Sequence, residues 1–163
     1  MRRNGFSLLE LIVVLILISL SAALVIPSLS RFSSTIELKA AAKKVSGILR
    51  YGRSEAVNKG QIYQVLLDSE SRQVSLQSVG EDDPEEKKEG KQYKKTYSLP
   101  EGIQIVESDI PPPQCASDLP TIEFYPNGGS NGGIFFLNSA DQRGYKIMVD
   151  FLTGIVKIER REG

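Results

Sequence analysis

Residues 1–27 read MRRNGFSLLELIVVLILISLSAALVIP and determine most of what the sequence predicts. Two arginines precede Gly5, and the run from Phe6 to Ile26 is apolar apart from three serines and one acid, Glu10. About 20 apolar residues are long enough to cross a membrane as a helix. A carboxylate inside such a helix costs on the order of 3 kcal/mol. We therefore expect Glu10 to need a partner of opposite charge.

A cleaved secretory signal and a plain membrane anchor would each account for part of this stretch. A secretory signal has a basic start, but its apolar stretch spans about 7–15 residues and carries no acid. Ser21, Ala22 and Ala23 would offer small residues for that alternative cut. A plain anchor fits the length of the run but leaves the acid unexplained.

The string GFSLLE, residues 5–10, resembles the processing site of type IV pilins and of the pseudopilins of type II secretion. The resemblance implies that a prepilin peptidase cuts between Gly5 and Phe6 and that the new N-terminus, Phe6, is methylated. It also implies that Glu10 pairs with the N-terminal amine of a neighbouring subunit and that Pro27 is the helix-kinking proline of the family. The physical chemistry agrees, because a buried carboxylate is tolerated when it is paired.

Composition excludes several classes of function. The 163 residues hold 20 basic and 20 acidic side chains, no histidine and one cysteine, Cys115. Balanced charge gives no reason to expect nucleic acid as a partner, and a single cysteine forms no internal disulfide. Without histidine, the commonest general base and metal ligand is missing. We therefore predict a structural protein with no catalytic residues, no metal and no cofactor, and we interpret Cys115 as a loop thiol.

The arginines also predict orientation. Arg2 and Arg3 place the N-terminus in the cytoplasm by the positive-inside rule. A single pass through the bacterial inner membrane would then put everything after Pro27 in the periplasm.

The helical pattern continues from Ser28 to about Asn58, so that a helix continuous from Phe6 would be about 80 Å long at 1.5 Å per residue. Apolar residues recur at spacings of three and four, which places them on one helix face. Gly52 lies on that face, where a missing side chain would let a sheet approach closely; a helix-weakening glycine without a role is the alternative. The face comprises Leu38, Ala42, Val45, Leu49, Gly52 and Ala56, and an opposite stripe comprises Leu29, Phe32, Ile36 and Ala40.

After Gly60 the period changes to two, which is typical of strands. Residues 80–95 are highly charged and predict an exposed loop, with partner docking or cation binding through Asp82 and Asp83 as the alternative. Residues 109–120 contain three consecutive prolines and should be irregular. The predicted strands are 63–67, 73–79, 96–99, 103–106, 121–125, 134–137, 145–149 and 155–159.

Glycines predict two of the turns. The glycine-rich segment 127–133 is followed by a strand, whereas a phosphate-binding P-loop needs a lysine and a helix there, so it is predicted to connect a hairpin. Residues 150–154 are predicted to join the last two strands, with Gly154 at positive φ.

The predicted fold class is α+β, with a long N-terminal transmembrane and stalk α-helix packed on antiparallel β-sheets in a pilin-like, β-sandwich-like domain. The predicted segments are a leader peptide (1–5), a transmembrane and polymerisation helix (6–26), an amphipathic stalk helix (27–58) and a periplasmic antiparallel β domain (59–163).

Three further segments, 53–57, 124–128 and 153–154, resemble the H-type minor pseudopilin of the type II secretion system. The resemblance implies a structural subunit near the tip of the periplasmic pseudopilus, which drives export of folded proteins across the outer membrane. Implied partners are the other minor pseudopilins, the major pseudopilin, the prepilin peptidase and the inner-membrane secretion platform.

Two alternatives share parts of this pattern. A minor type IV pilin used for pilus assembly, adhesion or DNA uptake has the same N-terminal features, and Arg160 and Arg161 would be its basic edge. A membrane-anchored hydrolase is the more distant alternative, because the paired acids lie in a solvated loop without the apolar walls that raise a catalytic pKa.

Overall fold

The computed structural model describes residues 8–79, 95–140 and 143–161, and within these it describes only the backbone of residues 22–33 and 107–108. In this part of the chain one helix precedes eight strands. The elements are α1 (Leu8–Lys59), β1 (Ile62–Asp68), β2 (Gln73–Val79), β3 (Lys95–Ser98), β4 (Ile103–Asp109), β5 (Thr121–Phe124), β6 (Gly133–Ser139), β7 (Gly144–Val149) and β8 (Val156–Arg161).

The chain divides into two compact units, Met1–Ile36 and Glu37–Gly163. Helix α1 therefore contributes to both units, and its second part, from Glu37 to Lys59, belongs to the unit that contains the strands. The α+β class is confirmed. The finer segment boundaries at residues 5, 26 and 58 stay predictions, and the charged loop falls outside the described residues except for Lys95, which begins β3.

The predicted apolar face of the second part of α1 is buried, and Gly52 lies at its closest approach to a sheet. A Cβ added to Gly52 would lie 2.9 Å from Cδ1 of Leu76 and 3.5 Å from side-chain carbons of Val65 and Phe124. This confirms that the missing side chain lets the sheet approach. On the opposite stripe Ile36 is 53% exposed, and the side chains of Leu29 and Phe32 lie outside the described residues.

Two four-stranded antiparallel sheets complete the second unit. The first sheet has the order β3-β2-β1-β5 and the second the order β4-β6-β7-β8. The inward faces of both sheets and the apolar face of α1 form one continuous core. Its members from the strands include Tyr63, Val65, Leu67, Val74, Leu76, Ile103, Ile105, Ile122, Phe124, Phe135, Leu137, Ile147, Val149 and Val156.

The prediction that segment 127–133 connects a hairpin was wrong. Strand β5 pairs with β1 in the first sheet, whereas β6 pairs with β4 and β7 in the second. A bridge between Phe124 and Ser130 closes a tight turn, and Gly132 (φ 74°) and Gly133 (φ 143°) then redirect the chain. The glycines thus allow a second change of direction, which carries the chain from one sheet to the other.

The remaining turns agree with the sequence. Asp68 Oδ1 accepts a hydrogen bond from the backbone N–H of Ser71 at 2.8 Å in the turn between β1 and β2. Residues 110–120 contain no helix or strand, as predicted. Gly154 has a φ of 61° in the turn between β7 and β8.

Candidate functional site

From Leu8 to Leu20, helix α1 exposes apolar side chains around its whole circumference. Every large apolar side chain from Leu8 to Leu20 is between 43% and 79% exposed in the isolated chain. The hydroxyls of Ser19 and Ser21 donate to the carbonyl oxygens of Leu15 and Leu17, each at 2.8 Å. A helix that is apolar all round belongs in a core or a membrane, and between Leu8 and Ser21 both hydroxyl groups have partners within the helix.

The predicted N-terminal site is described only in part. Glu10 lies exposed in the first turn of α1. Gly5 and Phe6 lie outside the described residues, and α1 passes through position 27 as a helix. Within the described part of the chain, no helix combines the length and the hydropathy that a membrane crossing requires. The roles of Gly5, Phe6, Glu10 and Pro27 therefore stay predictions.

The three segments that resemble the H-type minor pseudopilin, 53–57, 124–128 and 153–154, meet at Arg53. Its Nε–H group is shared between the carbonyl oxygen of Thr153 at 2.8 Å and that of Gly128 at 3.1 Å. This contact, which we call the Arg53 junction, ties helix α1 to the glycine-rich loop and to the last turn. Segments 53–57, 124–128 and 153–154 therefore belong to one structural feature.

The turn between β7 and β8, residues 150–154, is held by its own polar groups, and we call it the hairpin tip. Asp150 Oδ1 accepts hydrogen bonds from the Thr153 hydroxyl at 2.7 Å and the Thr153 backbone N–H at 2.9 Å. Both bonds lower the pKa of Asp150, and the bond from the hydroxyl has the larger effect. The Gly154 N–H donates to the Asp150 carbonyl at 2.8 Å.

A buried carboxylate that the sequence analysis did not single out lies in strand β5 of the first sheet, at the centre of a polar cluster. Glu123 is 0% exposed. Its two oxygens accept hydrogen bonds from the backbone N–H groups of Gln114 at 2.7 Å and Cys115 at 3.0 Å, from Gln64 Nε2 at 3.0 Å and from the Tyr125 hydroxyl at 3.3 Å. Burial raises the pKa of Glu123, but these donors more than offset it, so the pKa is lowered.

The same cluster makes the neighbouring groups hard to ionise. Burial and then the charge of Glu123 raise the pKa of the Cys115 thiol. The thiol therefore stays protonated, which agrees with its interpretation as a loop residue and not a nucleophile. Burial and Glu123 raise the pKa of Tyr125 to about 12.

Asn131 attaches the proline-rich segment to the same strand. Its Oδ1 accepts a hydrogen bond from the Glu123 backbone N–H at 2.8 Å, and its Nδ2 donates to the carbonyl oxygens of Thr121 at 2.9 Å and Pro111 at 3.0 Å. Glu123 and Asn131 thus hold residues 111–115 against β5. In residues 8–79, 95–140 and 143–161, no group of three or more acids and cysteines could hold a metal ion.

An apolar N-terminal helix that continues into a domain of two antiparallel sheets defines a pilin-like subunit. The family model for the prokaryotic N-terminal methylation motif matches residues 1–26. The family model described as type II transport protein GspH matches residues 41–153, which is more than half of the chain. The chain belongs to this family, and the resemblance to H-type minor pseudopilins is confirmed.

Individual proteins agree with the family. The type II secretion system protein H of Xanthomonas campestris pv. campestris is 27% identical over 154 residues, which cover 94% of this chain and 82% of that protein. The minor pseudopilin EpsH from the type 2 secretion system of Vibrio cholerae has a similar fold, with a TM-score of 0.57 and 15% identity over 76% of this chain and 97% of EpsH.

A pilin has a similar fold as well. The type IV minor pilin FimU of Pseudomonas aeruginosa gives a TM-score of 0.55 at 17% identity, over 81% of this chain and 98% of FimU. At these identities the structures establish the fold alone. The methylation motif and the family together indicate a membrane-anchored subunit of a periplasmic pseudopilus that assembles with other pseudopilins.

Proposed function

We propose that this chain is a minor pseudopilin near the tip of the type II secretion pseudopilus, with a structural role and no catalytic activity. The observation that carries the proposal is that the methylation motif at residues 1–26 and the GspH family match at residues 41–153 occur in one chain. The filament that it joins would drive export of folded proteins across the outer membrane.

The exposed helix of the first unit supports a role in assembly. Its apolar side chains from Leu8 to Leu20 need lipid before assembly and the helices of other subunits afterwards. Transfer between these two environments keeps the apolar surface away from water. Because Ser19 and Ser21 donate to carbonyl groups of their own helix, the transfer leaves neither of these two hydroxyl groups without a partner.

Glu10 would determine axial register in the filament. In hydrocarbon a carboxylate is costly, and a charge-assisted hydrogen bond with the Phe6 amine of a neighbouring subunit would offset that cost. A buried polar pair of this kind favours a single alignment of adjacent helices, as it does in coiled coils. Pro27 would introduce the bend that the family places beyond the membrane segment.

Maturation and location follow from the same residues. The prepilin peptidase would cut between Gly5 and Phe6, and Phe6 would be methylated. The mature chain would wait in the inner membrane as a single-pass protein, with its N-terminus in the cytoplasm and its β domain in the periplasm. Its partners would be the other minor pseudopilins, the major pseudopilin and the inner-membrane secretion platform.

Complementation tests this function. A strain that lacks the gene should lose secretion of its exoproteins, and the full-length chain should restore it. The same strain should keep surface pili, twitching and DNA uptake. Loss of those pilus functions with normal secretion would instead support the minor type IV pilin alternative, whose fold this chain shares.

A further inference from the structure

The hairpin tip exposes large apolar side chains where a solvated turn would carry polar ones. Phe151 is 64% exposed and Leu152 is 80% exposed, and Ile155 immediately after the tip is 50% exposed. Turns of this kind favour Gly, Pro, Asn, Asp and Ser. Exposed apolar residues that adjoin one another, with polar groups around them, mark interaction sites, whereas singly scattered ones do not.

The backbone beneath these side chains is fixed by several contacts. The carbonyl oxygen of Phe151 accepts a hydrogen bond from the Ser130 N–H at 3.0 Å, and that of Thr153 accepts from Arg53 at 2.8 Å. A Cβ added at Gly129 would lie 3.3 Å from the Leu152 carbonyl oxygen. These hydrogen bonds restrain the backbone of the tip, and a restrained surface loses less conformational entropy on binding.

A basic cavity of about 260 Å³ lies beside the tip and is lined by Arg50, Arg53, Gly154, Ile155 and Val156. Arg50 uses Nη2 to donate to the Val156 carbonyl oxygen at 3.3 Å, and Arg53 uses Nε at the Arg53 junction. A guanidinium group has five N–H donors. Both arginines thus keep donors for a further acceptor, and within the described part of the chain no acid lines the cavity.

We propose that the tip surface, defined as Arg50, Arg53, Phe151, Leu152 and Ile155, docks an acidic segment of a neighbouring subunit in the same filament. The segment would place a carboxylate between the two guanidinium groups and apolar side chains on Phe151 and Leu152. Arginine pairs carboxylates in bidentate geometry, and arginine with aromatic side chains is enriched at interface hot spots. The proposal rests on the proposed function, because it takes the partner from the filament.

Photo-crosslinking in secreting cells tests the proposal with the full-length chain. The photoreactive residue p-benzoylphenylalanine replaces Leu152, and a control probe replaces Glu101, an exposed residue beside Gly102. The Gly102 carbonyl accepts from Ala140 at the end of β6, at the other end of the second sheet from the tip. We expect the probe at position 152 to crosslink to another pilin-like subunit at a segment that contains Asp or Glu.

Charge variants show whether the arginines contribute. Arg50→Gln should lower the yield of that crosslink about tenfold, because a charge-assisted hydrogen bond is lost. Arg50→Lys keeps the charge and should retain more of the yield. Lys39→Gln, which removes an exposed cation from the same helix, should leave the yield unchanged. Equal yields in Arg50→Gln and in the unaltered chain would overturn the proposal.

A third probe separates this proposal from the proposed function. A probe at Leu17 reports contacts of the N-terminal helix. Crosslinks to filament subunits from Leu17 but none from Leu152, or crosslinks from Leu152 only to lipid or nucleic acid, would overturn the docking site and leave the pseudopilin function intact. Absence of filament crosslinks from both positions would overturn both.

Discussion

The Nε atom of Arg53 lies 2.8 Å from the carbonyl oxygen of Thr153, a residue 100 positions later in the chain. The same Nε–H group reaches the carbonyl oxygen of Gly128 at 3.1 Å. Gly154 leaves room for this arrangement, because a Cβ there would lie 3.0 Å from Cδ and Nε of Arg53. One guanidinium group thus joins the helix, the loop between the sheets and the hairpin tip.

Removing this guanidinium group should destabilise the fold. Arg53→Met keeps most of the side-chain volume but removes the donor to the carbonyl oxygen of Gly128, in a part-buried bond, and to that of Thr153, in an exposed one. A typical hydrogen bond contributes about 0.5–1.5 kcal/mol net, and we expect the free energy of unfolding to fall by about 1 kcal/mol, mostly through the part-buried bond to Gly128. Denaturant unfolding of the detergent-solubilised chain measures it. Lys39→Gln, at an exposed site of the same helix, should change stability by less than about 0.5 kcal/mol, and equal losses in the two variants would contradict the role of the junction.

Two glycines of α1 provide a matched pair. A Cβ at Gly47 would have nothing within 4 Å, whereas a Cβ at Gly52 would lie 2.9 Å from the buried Leu76. Gly47→Ala should stabilise the chain by about 0.5–1 kcal/mol through helix propensity. Gly52→Ala gains the same stabilisation from helix propensity, but its Cβ overpacks the core at a cost of about 1–3 kcal/mol. We therefore expect a net destabilisation. Thermal unfolding midpoints that rise equally in both would show that the sheet can move away from the helix.

Glu123 should make the free energy of unfolding depend on pH in the acidic range. Its pKa in the folded chain lies below the ordinary value of 4.5, so the unfolded chain binds more protons as the pH falls past that value. The stability that Glu123 contributes is therefore complete above about pH 5 and is lost as the pH falls through the folded pKa. Denaturant unfolding measured between pH 7 and pH 3 should show a free energy of unfolding that decreases as the pH falls below about 5.

The variant Glu123→Gln separates this carboxylate from the others. Its amide group would face backbone donors with a donor of its own, so at pH 7 we expect a loss of about 1–3 kcal/mol. Below the folded pKa the unaltered chain is protonated as well, and the difference between the two proteins should shrink. A difference that stays constant across this range would mean that Glu123 is not ionised in the folded state.

Tyr125 should ionise at unusually high pH. Burial and the neighbouring Glu123 carboxylate raise its pKa to about 12. Absorbance titration of the phenolate should show a component at that pH, and Tyr125→Phe should remove it. In Glu123→Gln the component should move to lower pH but stay above 10, since burial persists. A titration without any component above pH 11 would contradict the contact between the two side chains.

The sequence predicted the elements of this fold well because their periods are local signals. The face from Leu38 to Ala56 has spacings of three and four, and the strands alternate with a period of two, whichever partners they find. The residues of a turn do not determine which strands pair with each other. The glycines after Asn127 indicate a reversal of the chain, but nothing local tells whether β6 lies beside β5 or in the other sheet.

Glu123 escaped prediction for a related reason. In an alternating strand with one solvated face a glutamate is expected on that face, and β5 instead is buried on both faces. The covering segment is the irregular stretch around Gln114 and Cys115, which donates to the carboxylate through backbone N–H groups. Every residue except proline has a backbone N–H group, so the residue types around Gln114 do not show that these groups donate to Glu123. The sequence pattern therefore could not predict this site.

Substitutions at the N-terminus should separate processing from assembly. Gly5→Val places a bulky side chain where the peptidase must approach the backbone, and we expect the precursor to remain uncut on a gel. Gly5→Ala should be partly tolerated. Glu10→Ala should still be cut, because the acid is assigned to contact with a neighbouring subunit, and its crosslinking to other subunits should fall. Unchanged crosslinking in Glu10→Ala would remove the argument for pairing with the Phe6 amine.

Mass spectrometry of the N-terminal peptide from the mature protein tests the pseudopilin assignment most directly. The expected peptide begins with N-methylated Phe6, followed by Ser7 and Leu8, and retains the apolar helix. A mature chain that begins near Leu24, without the apolar segment, would contradict it, because such a chain lacks both Glu10 and the helix through which the filament is proposed to form.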